Sequence, residues 1–232
     1  MPGSEPTLLT LRGPFGIAVE VRQSAALLLM VFLLLFLVQG GSPLTALGLV
    51  AVVLGSILLH ELGHAWGARV QGIAVQRIVI HGGGGTTETA RSTARQEELI
   101  VAMGPLVNLS LWALLGLVMN GFYAHALTDP QIARLGYALL PWLSFASMVN
   151  LLLFAFNMVP VQPLDGGKLL LLGLRRLMPV AGAVRLAGQI GTVFCLLWWP
   201  ALVWLFFATG WLLFFAPSLA LHLAMAKGEQ RL

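Results

Sequence analysis

The chain has 232 residues, of which 58% are hydrophobic and only 9% are charged, and its formal net charge is +4. A water-soluble domain needs about 25% charged residues to cover its surface, so this composition excludes a soluble globule, a disordered chain and a coiled coil. In so apolar a chain we attribute the positive charge to the cytoplasmic ends of membrane helices. We therefore expect the lipid bilayer, and no nucleic acid, as a partner.

Apolar runs long enough to cross a bilayer follow one another along the chain. A hydrocarbon core of about 30 Å needs roughly 20 residues of helix. The run over residues 186–226 contains no charged residue. As one helix it would be about 60 Å long, so we expect it to fold back at Ala208-Thr209-Gly210. The predicted spans are residues 23–41, 44–68, 99–121, 135–157, 186–207 and 210–226.

The positions of Lys and Arg predict the orientation of these spans. With the N-terminus inside, 12 of the 13 basic residues fall in the inner segments 1–22, 69–98, 158–185 and 227–232, and only Arg134 lies outside. Such an asymmetry is typical of cytoplasmic loops. We expect a multi-pass protein of a prokaryotic cell (inner) membrane, with both termini in the cytoplasm.

The loop after the second span contains a pattern that differs from the helical runs. Residues 73–80 are rich in β-branched side chains and are followed by His81 and four glycines, which predicts a short strand and a glycine turn. We expect residues 86–95 to form a mobile loop. The predicted fold is therefore an all-α polytopic membrane protein with six transmembrane helices and one short β-like segment, in a single domain over residues 1–232.

The second span carries the sequence His60-Glu61-Leu62-Gly63-His64. Imidazoles at positions i and i+4 of a helix share one face and bind one zinc ion, and the glutamate beside them acts as general base. The alternative is that neighbouring helices satisfy these groups, but an unpaired glutamate in lipid costs at least about 2.5–3.5 kcal/mol. We therefore favour a metal site, roughly 7 to 13 Å inside the cytoplasmic end of the span. Gly63 and Gly67 form a small-residue pair that favours close helix packing.

A catalytic zinc usually takes three protein ligands, so a third ligand must come from elsewhere. The candidates are His81, Glu88, His125, Asp129, Asp165 and His222. We favour Asp165, because Pro160 and Pro163 prevent a regular helix before it, and non-helical backbone at membrane depth is tolerated only where it is buried or lines a cavity. The alternative for Asp165 is that it caps a helix over residues 166–178. For His222, near the end of the last span, a surface position is the more usual interpretation.

Three sequence elements together resemble a known family. The motif at residues 60–64 is followed by Gly104-Pro105-Leu106-Val107-Asn108 and then by Asn157-Met158-Val159-Pro160-Val161-Gln162-Pro163-Leu164-Asp165-Gly166-Gly167. This order resembles the site-2 protease family of intramembrane zinc metalloproteases, over residues 55–170. The chain looks like a compact form of that family, without a PDZ or CBS domain.

The resemblance implies one catalytic zinc ion with His60, His64 and Asp165 as ligands and Glu61 as catalytic base. It implies cleavage of a membrane-spanning helix of a partner protein near the cytoplasmic face. Asn108 and Asn157 would support the site by binding the extended substrate backbone or the developing oxyanion; for Asn108, hydrogen bonding between helices is an equal alternative.

The sequence allows two alternatives for the strand at residues 73–80 and two for the function of the protein. The strand at residues 73–80 either accepts the extended substrate by strand addition or forms only a local hairpin. The alternative function is a membrane metal or ion transporter that uses the same His, Glu and Asp cluster, because intramembrane ionisable residues also mark ion pathways.

The charge distribution generates a prediction about topology. Reporter fusions at Gly41, Leu127 and Thr209 should report an outside location, and fusions at Thr86 and Leu232 should report an inside location. Alkaline phosphatase and fluorescent-protein activities measure this. An outside location of Thr86 would contradict the arrangement, because it would invert the helix that carries the histidine motif.

Overall fold

The computed structural model describes residues 5–38, 40–209 and 216–229. The helices are α1 Gln23–Val38, α2 Pro43–Arg69, α3 Ala94–His125, α4 Pro130–Asn157, α5 Asp165–Leu177, α6 Val180–Thr209 and α7 Leu219–Lys227. The strands are β1 Thr7–Arg12, β2 Ala18–Arg22, β3 Val75–His81 and β4 Gly84–Thr89. The chain is mostly helical with one small sheet, which confirms the coarse fold class.

Four helices are long and apolar enough to cross a membrane, namely α2, α3, α4 and α6. They correspond to four of the six predicted spans. The predicted span at 23–41 is the helix α1, which has 16 residues and is shorter than the roughly 20 that a bilayer core requires. Of the predicted span at 210–226, residues 210–215 lie outside the described residues, and α7 has 9 residues. The helix α6 continues through Thr209, and Gly210 of the expected turn is also outside the described residues.

Local sequence signals determine where the two central helices begin. Ser42 caps α2 by accepting the Thr45 N–H at 3.1 Å, and Pro43 occupies the first helical position, where its missing N–H costs nothing. Thr93 and Gln96 form a reciprocal capping box at the start of α3. These caps determine at which residue α2 and α3 each begin. They therefore also determine which residues further along each helix share a face.

The four strands form one sheet in the order β1-β2-β3-β4. The β1–β2 and β3–β4 pairs are antiparallel, whereas β2 and β3 run parallel. One face of this sheet packs on α2, where Ile78 and Ile80 of β3 meet Ala65 in a buried apolar cluster. The sheet is thereby held beside the helix that carries the histidine motif.

The structure confirms the predicted strand and corrects three expectations around it. The predicted mobile loop at 86–95 is wrong, because β4 occupies its first part. The hairpin at residues 7–22 was not expected. Strand addition to residues 73–80 is also wrong, because β3 is a central strand with β2 on one edge and β4 on the other. The alternative of a purely local hairpin holds only in part, because β3 forms a hairpin with β4 and also pairs in parallel with the distant strand β2.

The chain divides into two compact units, residues 1–154 and 155–232. In the first unit, α2 and α3 approach each other closely at the two predicted glycines. A Cβ atom on Gly63 would lie 2.6 Å from the carbonyl oxygen of Met103, and one on Gly67 would lie 3.1 Å from Cα of Ile100. In the second unit, α5, α6 and α7 enclose a core that includes Leu171, Val184 and Met225.

The close approach of α2 and α3 generates a prediction about stability. Gly63→Ala should destabilise the protein by about 1–3 kcal/mol, because the added methyl group meets a backbone carbonyl that has no room to move. Gly55→Ala on the same helix is the matched control, since nothing lies within 4 Å of the position of its Cβ. Thermal unfolding in detergent measures both. Equal unfolding temperatures for the two variants would contradict the packing argument.

Candidate metal centre and active site

The helix α2 brings two imidazoles together in the interior of the first unit. His60 and His64 are both buried, and their Nε2 atoms lie 3.1 Å apart. Two nitrogens bound at about 2.0–2.1 Å to one tetrahedral zinc ion lie roughly 3.3 Å apart. The histidine pair therefore has the spacing of two ligands of a single metal ion.

Hydrogen bonds determine which ring nitrogens face each other. His60 Nδ1 lies 2.6 Å from Asn108 Oδ1, and His64 Nδ1 lies 2.8 Å from the carbonyl oxygen of Ile100. Both partners are acceptors, so each Nδ1 carries the proton and each Nε2 presents its lone pair. Two lone pairs that face each other repel, unless a positive charge lies between them. The donor set thus fits a metal cation.

The orientation of the Asn108 amide is determined by a chain of hydrogen bonds. Asn108 Nδ2 donates to Asn150 Oδ1 at 2.8 Å, and Asn150 Nδ2 donates to the carbonyl oxygen of Ala146 at 2.8 Å and to Ser56 Oγ at 3.1 Å. Because a carbonyl oxygen only accepts, the Ala146 bond determines which way Asn150 points, and Asn150 in turn determines the orientation of Asn108. The acceptor Oδ1 of Asn108 is then directed at His60.

Gly104 provides the space for the histidine rings. A Cβ atom at Gly104 would overlap the ring of His64 and would lie 2.8 Å from Nε2 of His60. Gly104 and Asn108 belong to the same motif in α3 and lie one helical turn apart. One residue of this motif therefore makes room for both rings, and the other bonds to one of them.

Glu61 is buried beside the two histidines and is held by β4. Thr87 Oγ1 donates to Glu61 Oε2 at 2.8 Å, and Gly85 leaves no room for a side chain between β4 and the Glu61 carboxylate. Ligand atoms of His60, Glu61 and His64 all lie within 4.8 Å of one another. The carboxylate is thus close enough to act on a group bound at the histidine nitrogens.

Two of the other candidate ligands lie in the β3–β4 hairpin, where they have protein partners. Glu88 accepts hydrogen bonds from Arg77 at 2.9 and 3.0 Å, one on each carboxylate oxygen, and this pairing with Glu88 is the main cause that raises the pKa of Arg77. His81 accepts the Gly83 N–H at Nδ1 and contacts Thr86 Oγ1 through Nε2. Both side chains therefore have roles in holding the hairpin.

Two further candidates lie at the far end of α3 and the start of α4. His125 is the last residue of α3, 17 residues beyond Asn108, which is about 25 Å along the helix axis. Asp129 accepts the Gln131 N–H at 2.8 Å at the beginning of α4. The first unit thus brings together His60, His64, Glu61 and Asn108 but not these two.

Asp165 belongs to the second unit, where it is the first residue of α5 and is buried. The N-cap of this helix is Leu164 and Asp165 is its first helical residue, so the alternative in which Asp165 is the N-cap is wrong. Its Oδ1 atom lies 3.3 Å from Nζ of Lys168. Asn157 is the last residue of α4.

His222 is fully buried in the second unit, so the interpretation as a surface residue is wrong. Its Nε2 atom accepts the Gln162 N–H at 2.9 Å, and Nδ1 lies 2.8 Å from the carbonyl oxygen of Ser218. Both ring nitrogens are therefore engaged by the backbone of this unit.

Comparisons with known proteins agree with the motifs. The sequence profile of peptidase family M50 matches residues 124–198. A zinc metalloprotease of Methanocaldococcus jannaschii is 30% identical over 176 residues, which are 76% of this chain and 48% of that protein. A putative zinc metalloprotease of Synechocystis sp. is 37% identical over 136 residues, 57% of this chain and 33% of that protein. The chain is therefore similar to zinc metalloproteases, as its motifs indicate, and the profile that matches part of it is that of a peptidase family.

A solved structure supports the same fold. The site-2 protease from Methanocaldococcus jannaschii superposes with a TM-score of 0.61 at 22% identity, over 95% of this chain and 92% of that one. The chain spans about half of the first of these two curated relatives and a third of the second. Four helices long and apolar enough to cross a membrane, together with the similarity to these proteases, indicate a multi-pass membrane protein. The cluster of His60, Glu61 and His64 can hold a metal ion, and the relatives are zinc enzymes by name.

Three residues around the zinc metalloprotease motif were missed by the sequence reasoning. Ser56 lies one helical turn before His60, so a stripe of polar residues at i, i+4 and i+8 could have identified it. Asn150 lies outside the three sequence motifs, and only its bond to Asn108 links it to them. Thr87 carried no signal, because its segment was expected to be a mobile loop.

The hydrogen bond from Asn108 to His60 generates a prediction about zinc affinity. Asn108→Ala should lower zinc affinity about 10- to 100-fold, the usual effect of losing a group that orients a metal ligand. Ser110→Ala is the matched control, because Ser110 lies on the same helix and bonds only to the carbonyl oxygen of Leu106. Competition with a zinc chelator measures both. A role of Asn108 in substrate binding predicts the opposite pattern, with a changed KM and unchanged zinc affinity.

Proposed function

We propose that this protein is an intramembrane zinc metalloprotease that hydrolyses a peptide bond within a transmembrane helix of a partner protein, near the cytoplasmic face. The observation that carries this proposal is the buried pair of imidazoles whose Nε2 atoms lie 3.1 Å apart, with the Glu61 carboxylate beside them. The zinc metalloprotease relatives support the reaction class.

The proposed ligands are His60, His64 and Asp165. The histidines are supported by their geometry. Asp165 is supported by its position in the motif and by the fact that other candidate ligands already bind protein groups. Glu88 is paired with Arg77, and both nitrogens of His222 are engaged by backbone groups. Asn157 is proposed to support the site, as the family resemblance implies.

Glu61 is the proposed general base. When bound, zinc polarises the scissile carbonyl and lowers the pKa of a water molecule toward 7. Thr87 occupies Oε2 of Glu61, which leaves Oε1 to take the proton from the attacking water and to pass it to the departing amine. Burial of the carboxylate among apolar helices keeps bulk water away from this transfer.

The substrate must be extended before it is cut, because a helix engages its carbonyl groups in i to i−4 hydrogen bonds. Since β3 is enclosed by β2 and β4, we assign the docking of an extended substrate to β4, which forms an outer edge of the sheet in the described part of the chain. Its contact with Glu61 through Thr87 brings this edge next to the proposed base. Strand addition at such an edge is a recurring mode of peptide recognition.

The proposed membrane arrangement has six spans with both termini in the cytoplasm, in a prokaryotic cell membrane. The helices α2, α3, α4 and α6 support four of these spans. The other two spans rest on the apolar runs of the sequence, and the orientation rests on the distribution of Lys and Arg. With Arg69 at the cytoplasmic end of α2, the histidines lie about 10 Å inside the membrane by the helix rise. The cut is then expected in the cytoplasmic third of the substrate helix.

Replacement of the proposed base tests the function. Glu61→Gln should retain zinc but lower cleavage at least about 100-fold, because an amide cannot accept the proton of the attacking water. Glu97→Gln at the start of α3 is the matched control. The full chain is co-expressed with candidate single-span membrane proteins, and immunoblots detect a shortened product.

The same experiment separates a protease from the alternative of a metal or ion transporter. A transporter would give no shortened product with any variant and would keep some metal uptake in Glu61→Gln. Mass spectrometry of the product locates the cut. A cut in the outer half of the substrate helix would contradict the proposed depth of the site.

A further inference from the structure

The second unit contains a buried histidine that binds the segment leading to Asp165. His222 of α7 accepts the Gln162 N–H at Nε2, at 2.9 Å, and its Nδ1 atom lies 2.8 Å from the carbonyl oxygen of Ser218. Since that carbonyl accepts, Nδ1 carries the proton and Nε2 is the acceptor. The ring thus joins the N-terminal turn of α7 to the backbone three residues before Asp165.

The helix α6 holds this ring in one orientation. Gly191 leaves no space beyond the ring, because a Cβ atom there would overlap His222. One helical turn later, Sγ of Cys195 lies 3.5 Å from Nδ1. Both His222 and Cys195 are fully buried. A ring confined on two sides cannot rotate away from its two backbone partners.

The segment that receives this hydrogen bond is packed against the beginning of α5. Val161 is fully buried and Leu164 is buried, and Cβ atoms on Gly166 and Gly167 would overlap the backbone at Met158 and Val161. The segment lies between α4 and α5 and has no strand or helix to pair its backbone groups. Gln162 is half-buried, and an amide withdrawn from water outside regular structure needs a partner; His222 supplies one for its N–H.

We propose that His222 is a positioning residue that holds Asp165 in the geometry of a metal ligand, by accepting the Gln162 N–H. This inference rests on the proposed function, in which Asp165 is the third zinc ligand. His222 does not ligate the metal, because both of its nitrogens bind backbone groups. Without its acceptor the segment before Asp165 loses the bond that ties it to α7, and the carboxylate is presented less precisely.

Two amide substitutions separate the two hydrogen bonds of the ring. His222→Asn keeps a donor near the position of Nδ1 for the Ser218 carbonyl but has no acceptor for Gln162. His222→Gln carries an oxygen near the position of Nε2 and keeps that acceptor. We expect zinc affinity to fall about 10- to 100-fold in the Asn variant, as for other groups that orient a ligand, and to be largely restored in the Gln variant.

The measurement uses the full chain purified in detergent and competition for zinc with a chelator. Hydrogen–deuterium exchange of the peptide over residues 158–164 is the second readout, and its protection should fall in His222→Asn. In an Asp165→Ala background, His222→Asn should cause no further loss of zinc affinity, because the residue acts through Asp165. An equal loss in both backgrounds would show a general structural role and overturn the inference.

Gly191→Ala provides a second variant if His222→Asn does not fold. Its methyl group meets the ring of His222, so it should also lower zinc affinity, whereas Gly173→Ala is the control with nothing near the added atom. Wild-type zinc affinity in a folded His222→Asn or Gly191→Ala variant would overturn this inference but not the proposed ligand set. Unchanged affinity in Asp165→Ala would instead overturn the proposed ligand set.

Discussion

The architecture depends on two imidazole nitrogens that face each other at 3.1 Å inside an apolar helix bundle. Each ring directs its other nitrogen to an acceptor, so the two nitrogens that face each other present lone pairs that a shared cation would bind. Ionisable groups at membrane depth are costly unless they are paired. A metal ion bound between the two nitrogens would relieve the repulsion of their lone pairs, and the surrounding residues hold the two rings in this arrangement.

The polar groups around this pair are connected so that each has a partner. Asn108, Asn150 and Ser56 form a chain whose direction is determined by a backbone carbonyl, and such a network is stable only when every member is satisfied. Glycines occupy the positions where backbone or ring atoms come closest, at Gly63 against α3 and at Gly104 against the rings. A side chain at either position would separate α2 from α3 and pull Asn108 away from His60.

The sheet performs a corresponding task for Glu61. Its apolar face packs on α2 through Ile78 and Ile80, and its outer strand β4 reaches Glu61 through Thr87. The same strand thus orients the proposed base and forms an edge of the sheet. In the second unit, His222 has a comparable role for the proposed ligand Asp165. It binds the backbone N–H of Gln162, three residues before Asp165, and not the carboxylate itself.

Features that depend on neighbours along the chain were readable from the sequence. The i and i+4 spacing of His60 and His64 places both rings on one face of any helix, and apolar runs predicted four helices that the structure contains. The β-branched run at residues 73–80 predicted β3. The helix predicted at 23–41 is present as α1, although with 16 residues it is shorter than a full span. The N-terminal hairpin was not predicted, because the pairing of its two strands depends on contacts that composition does not reveal.

Contacts between distant parts of the chain were decided only by the tertiary structure. The parallel pairing of Glu20 with Val79, the bond from His60 to Asn108 across 48 residues and the bond from Gln162 to His222 across 60 residues leave no periodic trace in the sequence. A polar residue in an apolar helix shows that it needs a partner, because an unsatisfied group costs several kcal/mol, of the order of 2–7. Which partner satisfies it depends on how the helices pack, and only the folded chain determines that.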